Sequence, residues 1–151
     1  MALSRSQKAR LQQEMAILDR YFPGFALYAS RGELFAEGPV RTNSGTVYAA
    51  RVVLPDDYPN SIPMLLVTHP RPLLDWHGRD LGTYGLNHLM HLLCPAEGCP
   101  AICHCRPDLW GPTRSLYLVV MKARIWLAAY EMHLRTGKTI DHFLIEQGAN
   151  Q

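Results

Sequence analysis

The chain predicts an α+β domain in which one helix precedes a four-stranded antiparallel meander and a long helix follows it. Three observations carry this. Leu11, Met15, Leu18 and Phe22 form an apolar stripe at helical spacing near the start. Four short runs rich in β-branched and aromatic residues follow, separated by turn residues with no room for crossover helices. A wider apolar stripe, Leu116, Val119, Val120, Ala123, Leu127 and Tyr130, then marks a second helix.

Taken in order, the first helix is capped by Ser4 or Ser6 and ended by Pro23-Gly24. Its Arg5, Lys8, Arg10 and Arg20 outnumber Glu14 and Asp19. That pattern reads as a solvated face, with docking of an acidic partner as the functional alternative. The strands are expected at residues 25–29, 33–37, 47–54 and 64–68. Turns fall at Ser30-Arg31-Gly32, Gly38-Pro39 and Asn43-Ser44-Gly45. Pro55 and Pro59 punctuate the exit from the third strand, and Pro63 delays the fourth because proline cannot donate to a ladder. From Pro70 to Gly98 the chain is rich in turns, and Leu86, Met90 and Leu93 suggest a short helix ended by Pro95. The long helix starts at a cap on Thr113 or Ser115 and is closed by Gly137. Lys122, Arg124, Arg135 and Lys138 against Glu131 give it a basic, solvated face. The tail beyond has room for one more short helix.

A length of 151 residues suits a single domain spanning 1–151, large enough to bury a core without staples. The net charge of +2 gives no electrostatic footprint for nucleic acid. No apolar run reaches the length of a membrane span, and residues 1–10 lack the apolar segment of a secretory signal. The expectation is a cytoplasmic protein with neither nucleic acid nor membrane among its partners. All four cysteines fall between Cys94 and Cys105. In a reducing compartment such a cluster reads as catalytic or metal-binding, not as a disulfide framework.

The chemistry concentrates in Ala101-Ile102-Cys103-His104-Cys105-Arg106-Pro107-Asp108-Leu109-Trp110-Gly111-Pro112, where Cys103 stands a short loop ahead of a Trp-Gly-Pro turn. A thiol so placed is suited to carrying an acyl group as a thioester. The thiolate is the reactive form, and His104 and Arg106 are positioned to favour it electrostatically. Asp108 is the nearest following carboxylate to assist deprotonation of an acceptor lysine. Backbone amides near Cys103, His104 or Asn87 are the candidates for oxyanion donors. Cys105 shares the Cys103 face in extended backbone and is the competing nucleophile; Cys94 and Cys99 are weaker ones. The plain alternative for Cys103 is a buried small hydrophobe. Trp110 reads first as an anchor for the long helix. The C-x4-C-x3-C-x-C spacing, with His88, His91 and His104 nearby, leaves a zinc-stabilised interaction module open. A papain-like protease lacks its usual sequence around the cysteine.

Three segments in this order resemble the ubiquitin-conjugating enzyme family. Leu54-Pro55-Asp56-Asp57-Tyr58-Pro59-Asn60-Ser61-Ile62-Pro63 is similar to the family's strand end, Tyr-Pro and following proline. Ile102-Cys103 is similar to its active-site pair, and Trp110-Gly111-Pro112 to its Trp-Ser-Pro turn. The similarity covers residues 3–136. It implies the ubiquitin-conjugating-enzyme-like fold and a carrier transferase needing no cofactor. Such a carrier accepts a ubiquitin-like protein from an activating enzyme as a Cys103 thioester and passes it to an amine of a target protein. The traits resemble those of bacterial relatives in ubiquitin-like conjugation operons, including antiphage defence systems. The family's His-Pro-Asn triplet has no match. His69-Pro70 is followed by Arg71 and lies 34 positions upstream of Cys103, and Asn87 is the nearest preceding asparagine. A non-catalytic adaptor of the same shape is therefore the alternative.

Overall fold

A computed structural model describes residues 2–148. Helix α1 (Arg5–Tyr21) starts at Ser4, whose hydroxyl accepts from the Gln7 N–H while the Gln7 side chain accepts from the Ser4 N–H. This capping box satisfies two donors that a helix start would otherwise leave open. Leu11 and Leu18 are buried and Met15 packs beside them. Strands β1 (Ala26–Ser30), β2 (Glu33–Arg41), β3 (Val47–Leu54) and β4 (Met64–His69) run antiparallel in sequence order. Helix α2 (Leu116–Thr136) and helix α3 (Ile140–Gly148) follow. The Ser115 hydroxyl caps α2, and Gly137 ends it in the left-handed conformation with φ 74°.

The sheet has six strands rather than the four expected. Strands β5 (Leu92–Ala96) and β6 (Cys99–Ile102) extend it, giving the order β1-β2-β3-β4-β6-β5. The short helix expected from Leu86, Met90 and Leu93 is instead a turn leading into β5. The reason lies at Glu97-Gly98, where φ is 55° and 70°. Two successive positive φ values make the tight hairpin turn that matches strand twist, and this turn pairs Ala96 with Cys99. Pro95 sits in the edge strand, where a missing donor is tolerated.

Gly38-Pro39 is not a turn but the middle of β2. A Cβ on Gly38 would lie 2.5 Å from the Phe25 ring and 2.7 Å from its Cα, so only glycine lets the strand pass there. Beyond Glu37 the ladder with β1 has ended, which leaves room for Pro39 opposite Ala49 of β3.

One face of the sheet packs on α1 and α2. Tyr48, Ala50, Val52 and Leu54 alternate inward along β3, and meet Val119, Val120, Ala123, Trp126 and Leu127 of α2 in one core. The valines and leucines among them contribute about 1.5–3 kcal/mol each on full burial. No helix among the described residues is long and apolar enough to cross a membrane.

Candidate active site

Cys103 follows β6 directly, and its N–H donates to the His91 carbonyl at 2.9 Å. The next side chain turns inward. His104 is 8% exposed, its Nε2–H donates to the Pro63 carbonyl at 2.8 Å, and its ring meets Trp110 edge-on at 5.9 Å. The Trp110 indole N–H in turn donates to the Pro59 carbonyl at 2.9 Å. The Tyr58-Pro59 segment and the Trp110-Gly111-Pro112 turn, 51 residues apart, thus meet beneath the cysteine loop.

Helix α1 clamps both. Glu14 is buried at 4% exposure and accepts from the Tyr58 hydroxyl at 2.6 Å and from the Leu116 N–H at 3.1 Å. Burial and this carboxylate push the Tyr58 phenol pKa well up. The Leu116 contact caps the start of α2 with a negative charge, the sign a helix N-terminus favours. Arg10 donates to the Pro112 and Arg114 carbonyls at 2.6 and 2.7 Å, and Gln7 to the Asp56 and Tyr58 carbonyls at 2.9 and 3.0 Å. Two of the polar residues expected on a solvated helix face, Arg10 and Glu14, are therefore internal struts.

Above these struts lies a cleft of about 580 Å³, within the ~300–1,000 Å³ span of small-ligand sites. Leu92 and Trp126 contribute apolar walls, and Cys103, His104 and Cys105 all line it. Asn87, His88, His91 and Lys122 supply the polar rim. The Asn87 Oδ1 accepts from the Met90 N–H at 3.0 Å, which fixes the amide and leaves its NH2 without a hydrogen bond among the described residues. His91 Nε2 lies 2.7 Å from Asp141 Oδ1 at the first turn of α3, and the Asp141 N–H donates to the Leu89 carbonyl at 2.8 Å. The His88 and His91 rings stack at 5.6 Å.

The electrostatics correct one expectation. The Cys103 pKa is raised, not lowered. Burial contributes most and the neighbouring Cys105 adds to it, while the Cys105 N–H aimed at the sulfur opposes the rise. His104 does not help, because burial holds its ring in the neutral form and its Nε2–H points at Pro63. Arg106 does not help either. It is spent on Asp108, at 2.8 Å, with both side chains exposed. That ion pair also occupies Asp108, the carboxylate expected to serve the lysine.

No family model, curated protein or solved structure matches this chain. The site is therefore read from its own geometry. Cys94 is exposed at the sheet edge, and Cys99 is buried with the Arg71 guanidinium against its sulfur. Among the described residues no three His, Cys, Asp or Glu side chains gather closely enough to hold a metal ion. His69 ends β4 and does not line the cleft. Asn87, which the sequence leaves unplaced, does line it. The His91–Asp141 pair was not foreseen. Its partners are 50 residues apart, and no local signal links them.

Proposed function

We propose that this chain is a carrier of the ubiquitin-conjugating kind, with the corresponding fold. Cys103 takes a ubiquitin-like carboxyl end from an activating enzyme as a thioester and yields it to an amine on a target protein. The observation that carries this reading is the meeting of three motifs. Cys103 opens into a cleft, the adjacent His104 bonds the Pro63 carbonyl and meets the Trp110 ring, and the Trp110–Pro59 hydrogen bond joins the Trp-Gly-Pro turn to the Tyr-Pro segment. The amide of Asn87 supports it, with an unengaged NH2 in the same cleft to receive the reacting oxygen.

In the transfer, the Cys103 thiolate attacks the carbonyl carbon of the incoming thioester. The donor sulfur leaves as a thiolate, and a thioester bond is exchanged for a thioester bond. An amine nitrogen then attacks the same carbon, loses its proton, and displaces the Cys103 sulfur to leave an amide. A thiol of raised pKa is the poorer leaving group, so its ester outlasts one on an acidic thiol.

The second reading is a non-catalytic adaptor of the same shape, favoured by the upward shift of the Cys103 thiol. One experiment separates them. The protein is mixed with ATP and candidate pairs of an activating enzyme and its ubiquitin-like protein. A carrier forms an adduct that dithiothreitol removes and Cys103→Ala abolishes. An adduct that survives Cys103→Ala overturns the assignment, loss only with Cys105→Ala moves it, and no adduct leaves the adaptor.

A further inference from the structure

We propose that His91, held by Asp141, is the general base that takes the proton from the attacking amine when Cys103 carries an acyl group. This rests on the carrier reading and assigns the step to a side chain in the cleft, which Asp108 does not line.

The argument begins with hydrogen-bond chemistry. A carboxylate only accepts, so the 2.7 Å contact places the His91 proton on Nε2, facing Asp141. The neutral ring then has its lone pair on Nδ1. Among the described residues no hydrogen bond falls on Nδ1 and no buried side-chain nitrogen or oxygen lacks a partner, so this atom is not sealed among them. An imidazole with one nitrogen oriented by a carboxylate and the other free is the form that general-base catalysis uses.

The backbone puts that ring beside the cysteine. The His91 carbonyl accepts the Cys103 N–H, and both residues line the same cleft. His91 itself has φ 51°, a left-handed conformation that few non-glycine residues adopt. The turn that imposes it is closed by the His91 N–H to the His88 carbonyl at 3.1 Å, and by Asn87 and Leu92 exchanging backbone bonds at 3.0 and 2.9 Å. Helix α3 adds Asp141 and ties it to Leu89. No hydrogen bond joins the ring to the Cys103 sulfur, so the thiol is not the proton source this base serves. Both side chains line one cleft, into which an amine approaching a Cys103 ester would enter.

The step balances. The amine nitrogen forms a bond to the ester carbon and gives its proton to His91 Nδ1. The carbon–sulfur bond breaks, the pair stays on Cys103, and the imidazolium returns its proton to that sulfur or to water. Other charged or titratable groups lining the cleft with His91 or touching it are His88 on its own turn, Asp141 of α3, Lys122 of α2, and Cys103, His104, Cys105 and Arg106 of the cysteine loop.

The test uses the full chain carrying Cys94→Ser and Cys105→Ser, so that the acyl group stays on Cys103. The probe is a peptide ending in Gly-Gly, supplied as its mercaptoethanesulfonate thioester. The isolated adduct is mixed with ethanolamine and followed by intact mass. Both amine and base must be deprotonated, so the logarithm of the rate should climb with a slope near two on the acid side and near one on the alkaline side. His91→Gln should still load. It should discharge about a hundredfold more slowly, the scale of a lost general base, with a single slope. Asp141→Asn should also slow discharge strongly, since an amide can donate to Nε2 and shift the ring proton onto Nδ1; it also carries the test if His91→Gln fails to fold. Equal rates and a bent profile in both variants overturn the base assignment and leave the carrier reading standing. A Cys103 that cannot be loaded, or an adduct lost to water faster than to the amine, overturns both.

Discussion

Glu14→Ala should destabilise the protein far more than a helix-surface substitution. The carboxylate serves two buried donors, the Tyr58 hydroxyl at 2.6 Å and the Leu116 N–H at 3.1 Å. Each stranded donor costs about 1–3 kcal/mol, so the pair predicts a loss of about 3–4 kcal/mol. Arg10 keeps its bonds to the Pro112 and Arg114 carbonyls, so its charge is not left bare and adds little. At ~2–4 °C per kcal/mol for a domain near this size, the melting point should fall by roughly 10 °C. Urea unfolding followed by far-UV circular dichroism measures the loss. The cycle with Tyr58→Phe supplies the mechanism: in the Glu14→Ala background, removing the stranded hydroxyl should return about 1 kcal/mol. Glu14→Gln, which keeps one acceptor oxygen, should fall between the two. A loss below about 1 kcal/mol, or a Tyr58→Phe effect that simply adds, would refute the view that this carboxylate joins α1 to the turns beneath the cysteine.

Two further outcomes follow from the shifted groups. Burial raises the Cys103 pKa, so its alkylation by iodoacetamide, read by peptide mapping, should still be accelerating above about pH 8.5, the ordinary cysteine midpoint; a plateau near neutrality would sink the burial argument. Burial lowers the His104 pKa, so between its folded midpoint and about pH 6.5 the unfolded chain binds the proton that the folded chain refuses. The stability tied to the neutral ring is then complete above that window and drains away as pH falls through it. His104→Gln should flatten the decline in urea midpoint from pH 7 to 5, and a slope equal to that of the parent protein would count against a buried neutral ring.

Local signals carried the ends of the fold. Ser4 and Ser115 precede their helices as caps, Gly137 follows as a stop, and the strict alternation of β3 points Tyr48, Ala50, Val52 and Leu54 to one side. The hairpin of β5 and β6 was hidden because its prolines speak against strands. Pro95 escapes by lying on the edge, and Pro100 lies outside the two-residue ladder that joins β6 to β4 through Ala101 and Ile102. Gly38-Pro39 misled for a related reason. A turn dipeptide and a close backbone crossing use the same residues, and only the position of Phe25 tells them apart. At the site, the cysteine and both turns were legible as motifs. The dyad was not, because His91 and Asp141 meet only once α3 has docked on the turn before β5.

The direction of the Cys103 shift bears on which acyl chemistry suits the cleft. A cysteine that opens amides must rest as a thiolate, which calls for a cation or an imidazolium at the sulfur. Here Arg106 is paired with Asp108, His104 is turned to Pro63, and the thiol pKa is driven up. Such a sulfur is ill suited to attacking an unactivated carbonyl. Exchange with an existing thioester asks less of it, because the donor sulfur is a better leaving group than the amine of an amide. The raised pKa that slows its attack also makes its own ester slower to lose the sulfur. The later amine transfer then needs help at the amine rather than at the thiol. The His91 imidazole, which Asp141 orients, lines the same cleft without a hydrogen bond to the sulfur, and it is the group proposed to serve the amine. Holding by one residue and release through another is the division of labour expected of the proposed carrier, and it is the opposite of what a hydrolase requires.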